Sequence, residues 1–179
     1  MRSLPLSLAV IGLCAGCQSF EPAAPSDAEV LVEACYDAVD DLLSQHGDRQ
    51  DLERMLVSTV VNINDVNRTT MFGRVATEFL SARLTRRDID IIHPTVREDQ
   101  LLIQESGQFL LSRNVANLAL DYNARTALVS TYAPLKENVI VSMKLVSTVE
   151  NSTLAATDFV LFRSPAVEEM LGSVVGWGR

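Results

Sequence analysis

The residues in this chain that could do chemistry are few, and their spacing restricts the chemistry further. Its two histidines, His46 and His93, fall in different segments with no cluster of His, Cys or carboxylate around either. A metal site needs several such ligands converging, so none is expected, and no cofactor is expected either. Ser130 lies inside an apolar run and not on a GxSxG elbow, while His93 precedes a proline, so a Ser-His-acid hydrolase is not expected. The polar stretch from Asn62 to Thr70 is placed to lead from a strand end into a helix start, where α/β proteins often hold anions. It has no glycine cluster and no lysine, so a Walker-type phosphate loop is absent. Its asparagines are expected to satisfy turn backbone instead. These residue types point away from catalysis.

The cysteines carry the one covalent chemistry in the reading. Arg2 and the apolar run Leu4 to Leu13 form a charged head and a core too short to span a bilayer, as in a signal peptide. Leu13-Cys14-Ala15-Gly16-Cys17 follows, and it resembles the lipobox of bacterial lipoproteins, with Cys14 where leucine is usual. That resemblance implies acylation of Cys17 as the first mature residue. Gln18 stands where aspartate would resemble an inner-membrane retention signal, which favours the outer membrane, periplasmic face. Cys35 is then left without a disulfide partner and is expected to be core. The organisation expected is signal peptide 1–16, lipidated tether 17–25, one domain 26–172 and a flexible tail 173–179. The tether reaches under roughly 30 Å at about 3.5 Å per residue. A formal charge of −8, one unit more negative without Arg2, argues against nucleic-acid binding.

The domain is organised around Met55 to Arg87. Met55 to Val61 is uncharged and β-branched, which predicts a strand buried on both faces. Phe72, Val75, Ala76, Phe79, Leu80 and Leu84 form one helical stripe, with Thr69 or Thr70 placed to cap it and Arg83, Arg86 and Arg87 near its negative end. Ile89 to His93 predicts a second strand, completing a βαβ unit. Ahead of it, Ser26 and Glu29 form a capping box for a helix over Asp27 to Gln45. Thr95 to Gln104 reads as either a short helix or an extended excursion. Ser112 opens a crossover helix to about Tyr122, and three strands over Thr126–Tyr132, Asn138–Thr148 and Thr153–Phe162 form a meander. Ser164-Pro165 starts a last helix that Gly172 stops. The fold expected is α/β, with a mixed five-stranded sheet. It comprises the βαβ unit, a crossover helix and a three-strand antiparallel meander, with flanking N- and C-terminal helices.

Several stretches, in this order and spacing, resemble the FlgO-type domain of flagellar outer-membrane lipoproteins. They are Val60-Val61-Asn62 with Asp65, Phe72-Gly73-Arg74, Leu84-Thr85-Arg86-Arg87, Gly107-Gln108-Phe109-Leu110-Leu111-Ser112-Arg113, and Leu128-Val129-Ser130-Thr131-Tyr132. Asp88 and Ser130 stand where that family often has glycine. The resemblance implies an outer-membrane-anchored component of a flagellar basal-body outer ring that supports motility. Its partners would be other basal-body proteins and further copies of itself in a ring, and no catalytic residues come with it. A ring needs a heterologous interface. The candidates are the Asn62–Thr70 loop with Asn62, Asp65 and Arg68, the Gly107–Arg113 segment with Phe109 and Arg113, and the tail around Trp177. The architecture is also similar to that of lipoprotein activators of peptidoglycan synthases and of a curli secretion lipoprotein, so a periplasmic regulatory binding module is the alternative. Fold alone does not choose between them.

Overall fold

The computed structural model of the protein describes residues 24–47, 50–66, 69–93, 102–105, 108–111, 119 and 121–172. Helix α1 (Asp27–Gln45) opens on the expected capping box: the Glu29 amide donates to the Ser26 hydroxyl and the Ser26 amide to the Glu29 carboxylate, at 3.3 and 2.7 Å. These bonds hold the Glu29 carboxyl below its ordinary pKa, the backbone bond from Ser26 being the larger cause. A 3-10 turn (Gln50–Leu52) leads into β1 (Arg54–Val57), then β2 (Val61–Asn62), α2 (Met71–Arg86) and β3 (Asp90–Ile92). A two-stranded antiparallel hairpin, β4 (Leu102–Glu105) and β5 (Gln108–Leu111), is separate from the main sheet. Of the two readings left open for 95–104, the extended one holds where the chain is described. Ala119 and Asp121 are helical, Tyr122 and Asn123 form a turn, and residues 112–118 and 120 of the expected crossover helix lie outside the described residues. The meander is β6 (Thr126–Pro134), β7 (Asn138–Ser147) and β8 (Thr153–Phe162), and α3 (Pro165–Gly172) closes the domain.

The main sheet runs β3-β1-β6-β7-β8, parallel from β3 to β6 and antiparallel beyond, with β2 also pairing β6. It has five positions but six strands, because the run expected as one strand over Met55–Val61 is interrupted. Val57 pairs Leu128 and Val61 pairs Thr131, so three residues on one side face two on the other. This is a β-bulge with one extra residue, and it reverses the face on which the later side chains project. Val57 accordingly joins the core under the helices, while Val61 joins the opposite one.

The helix-side core packs Leu31, Cys35 and Leu42 of α1 and Phe72, Leu80 and Leu84 of α2 onto Met55, Leu128, Val141 and Met143. Burial pushes the Cys35 thiol up to about 12, so it stays protonated and inert. On the other face Ala119 and Ala124 cover Leu56, Ala127 and Val129. Over β7 and β8 that face has no described layer above it: Lys144, Asp158, Val160 and Phe162 are exposed. As the alternation predicts, Val139, Val141, Met143 and Leu145 are all buried, while Ser142 and Lys144 face the other way.

Candidate functional site

The bulge brings β1 and β2 against α2 at one point. With Val60 lifted out of the ladder, its N–H donates to the Thr77 hydroxyl at 2.9 Å and its carbonyl accepts from the Thr69 hydroxyl at 3.0 Å. Thr77 in turn donates to the Gly73 carbonyl at 2.7 Å. Only glycine fits the helix position facing this bulge, because a Cβ on Gly73 would lie 2.1 Å from the Val60 oxygen. Sequence reasoning missed this contact, since nothing in the strand's composition marks the extra residue.

From here the chain enters the Asn62–Thr70 loop, at the ends of β2 and β6. The Ile63 amide donates to the Tyr132 carbonyl at 2.9 Å, continuing the ladder by one bond. Asn62 accepts from the Asn64 amide through its side chain at 2.9 Å and from the Asp65 amide through its carbonyl at 3.0 Å. The Asn62 carboxamide thus folds the turn, the role expected of loop asparagines. The threonines act otherwise than expected: Thr70 is the N-cap of α2 but makes no side-chain cap bond. Its hydroxyl meets the Tyr132 hydroxyl at 3.1 Å, while the Thr69 hydroxyl is taken by Val60. Tyr132 is buried and packs edge-on against Phe72, with ring centroids 5.3 Å apart.

The arginines at the far end of α2 also serve a different purpose from the expected one of helix-end cations. Arg83 and Arg87 both grip Asp40 of α1, each placing Nε on Oδ1, at 3.0 and 2.9 Å. Hydrogen bonds from Arg83 first, then Arg87, hold the Asp40 carboxyl down at about 2. Arg83 and Arg86 lie over the Tyr36 ring, 5.1 and 5.3 Å from its centre.

The remaining candidates for chemistry are scattered. His46 Nε2 is 3.8 Å from Asp51, and His93 Nε2 is 3.4 Å from the Ser81 hydroxyl. Among the described residues no group of three or more His, Cys, Asp or Glu is placed to hold a metal. Ser130 is fully buried in β6, and its hydroxyl has no hydrogen-bond partner among the described residues. An apolar void of about 10 Å³ lies between Val39, Leu42, Leu84 and Leu145, room for no more than a water. Cys17, Arg68, Arg113 and Trp177 lie outside the described residues, and only the backbone of Phe109 is described, in β5. Asn62 and Asp65 are thus the interface candidates that the structure brings together, in one turn bridged between them.

The LpoB C-terminal domain from Salmonella enterica shares this fold with a TM-score of 0.53 at 16% identity, the match covering 73% of this chain and 97% of that one. The same domain from Escherichia coli gives 0.52 at 16% identity, with the same coverage. No curated protein matches the sequence. The FlgO protein family matches residues 36–166, from the middle of α1 to the start of α3, and so takes in the whole sheet. By that match over most of its length, the chain belongs to the FlgO protein family.

Proposed function

We propose that this protein is an outer-membrane lipoprotein, acylated at Cys17, that is a structural component of the flagellar basal-body outer ring and supports motility. The observation that carries the reading is the FlgO family match, which spans the sheet, the second half of α1 and all of α2. The role proposed is mechanical, not enzymatic, and calls for no cofactor. Its partners are other basal-body proteins and further copies of itself. A closed ring of one chain needs two different faces on each copy. The β4–β5 hairpin and the open sheet face over β7 and β8 supply surfaces of that kind.

The test is a deletion strain complemented with native or Cys17→Ser protein. Native protein is expected to restore swimming and to copurify with basal bodies, and the Cys17→Ser protein to do neither. Full motility without the gene would sink the reading. Phe109→Asp combined with Trp177→Ala is expected to block ring assembly.

The shared fold with LpoB keeps a second reading in play, a periplasmic regulatory lipoprotein such as a peptidoglycan-synthase activator or a secretion accessory. Tether length separates the two. An activator working through the cell wall needs a long reach, whereas Gln18 to Pro25 spans under roughly 30 Å. Pull-down of cell-wall synthases in place of basal-body proteins would establish the second reading.

A further inference from the structure

Among the described residues, more of the exposed large apolar side chains lie at one end of the domain than at the other, where Tyr122 and Val149 are 46% and 68% exposed. Ile63, Met71, Leu135 and Phe162 are 37%, 43%, 48% and 70% exposed, and all four lie at one end. Ile63 follows β2 beside Tyr132, and Met71 follows Thr70, whose hydroxyl meets that of Tyr132. Leu135 follows the last residue of β6 and accepts from Arg163 at 2.8 Å, and Phe162 pairs Asn138 where β8 finishes. Val30, 41% exposed, belongs to the same end. Asp40 meets Arg83 across the helix pair. Counting back from that contact to Asp27 and to Met71 gives nearly equal lengths, so at about 1.5 Å per residue α1 and α2 open at one level. The other end of α1 is fixed far from it, where the Gln45 side chain bonds Ala156 in the first half of β8.

The chain therefore enters the domain, through residues 24–26, at the end that carries the exposed apolar side chains. Only Gln18 to Pro25 separates that entry from the cysteine expected to be acylated. We propose that this end rests on the lipid surface holding the anchor, with Ile63, Met71, Leu135 and Phe162 entering the headgroup layer. The inference rests on the reading of the protein as a lipoprotein acylated at Cys17. A short tether keeps the end at high effective concentration near the bilayer, so shallow insertion of a few side chains suffices to orient the domain. Among the described residues at this end, Asp27, Glu29, Asp65, Glu137 and Glu168 outnumber Arg74, Lys136 and Arg163, the last of which pairs with Glu168. A net acidic rim is repelled by anionic headgroups, so the matching surface is zwitterionic.

The test uses the full acylated chain in phosphatidylethanolamine–phosphatidylcholine vesicles doped with a lipid bearing a photoactivatable group near its headgroup. Adducts are expected on the segments containing residues 63, 71, 135 and 162, with yield falling as phosphatidylglycerol is added. The triple variant Ile63→Asp, Leu135→Asp, Phe162→Asp is expected to lose adducts there by about fivefold while staying in the membrane fraction. An unchanged urea midpoint checks that it is folded, and the milder Leu135→Ser should give a smaller loss in the same direction. An anchored chain with adducts spread evenly over the domain overturns the proposal and leaves the anchor standing. Cross-links from these residues to a second copy in place of lipid overturn it in favour of a subunit contact. A native chain that fails to fractionate with membranes removes the anchor reading itself.

Discussion

At the scale of single residues, two positions where the family often carries glycine differ in what they cost here. Asp88 has φ 61°, and the bonds Asp88 N–H to Thr85 and Ile89 N–H to Leu84 make it the left-handed residue of a Schellman motif closing α2. Glycine is at ease there, while aspartate adds charge at the negative end of the helix dipole. Asp88→Gly is expected to stabilise the fold by roughly 0.5 kcal/mol, and Asp88→Val to cost about 2 kcal/mol, measured by urea denaturation. Ser130 is a different case, for its difficulty is a buried hydroxyl that bonds no described residue. Ser130→Ala removes that group at constant shape and should raise stability by about 1 kcal/mol, seen as a higher melting temperature. Gly73 tolerates no such change, since the atom a Cβ would meet is backbone and cannot swing aside. Gly73→Ala is expected to cost about 3 kcal/mol by the same denaturation measurement.

At the scale of elements, α1 is chemically one-sided: it carries Asp27, Glu29, Glu33, Asp37, Asp40 and Asp41 and no basic residue. Two of those acids lie toward its negative end, and the cations that offset one of them come from α2. The Asp40 carboxyl is depressed from 3.8 to about 2 in the folded chain. Its contribution is therefore complete above pH 4 and is lost as pH falls from about 4 to 2, where the folded form also takes up the proton. The Asp40 side chain keeps 28% of its exposure, so solvent screens the pair. Asp40→Asn should cost about 1 kcal/mol at pH 7 and flatten the stability profile between pH 4 and 2. Gln45 works on the sheet edge: its amide both donates to and accepts from the Ala156 backbone, at 3.0 and 3.3 Å, occupying outward-facing groups of β8. Covered edges resist pairing with other chains. Gln45→Ala should lower stability by about 1 kcal/mol and make association at high concentration visible by light scattering.

At the scale of the whole molecule, helices cover one face of the sheet, and among the described residues the other face is covered only over β1 and β6. What remains for function is an open sheet face and an apolar end, together with a chain entry at that end. Much of this architecture was legible in the chain itself, because its signals are local. Ser26 and Glu29 lie three residues apart and cap α1 without help, and the β7 alternation assigns its two faces strand by strand. The composition likewise placed Cys35 in the core. The tertiary structure decided what depends on distant partners. The bulge exists only by count against β6, some seventy residues away, and it is what makes Gly73 obligatory and turns Thr69 away from capping. Arg83 and Arg87 read as helix-end cations until α1 brings Asp40 to them. Ile63, Met71, Leu135 and Phe162 are ordinary apolar residues in four separate segments. They form a surface only because parallel and antiparallel strands end together, a juxtaposition that no local spacing encodes.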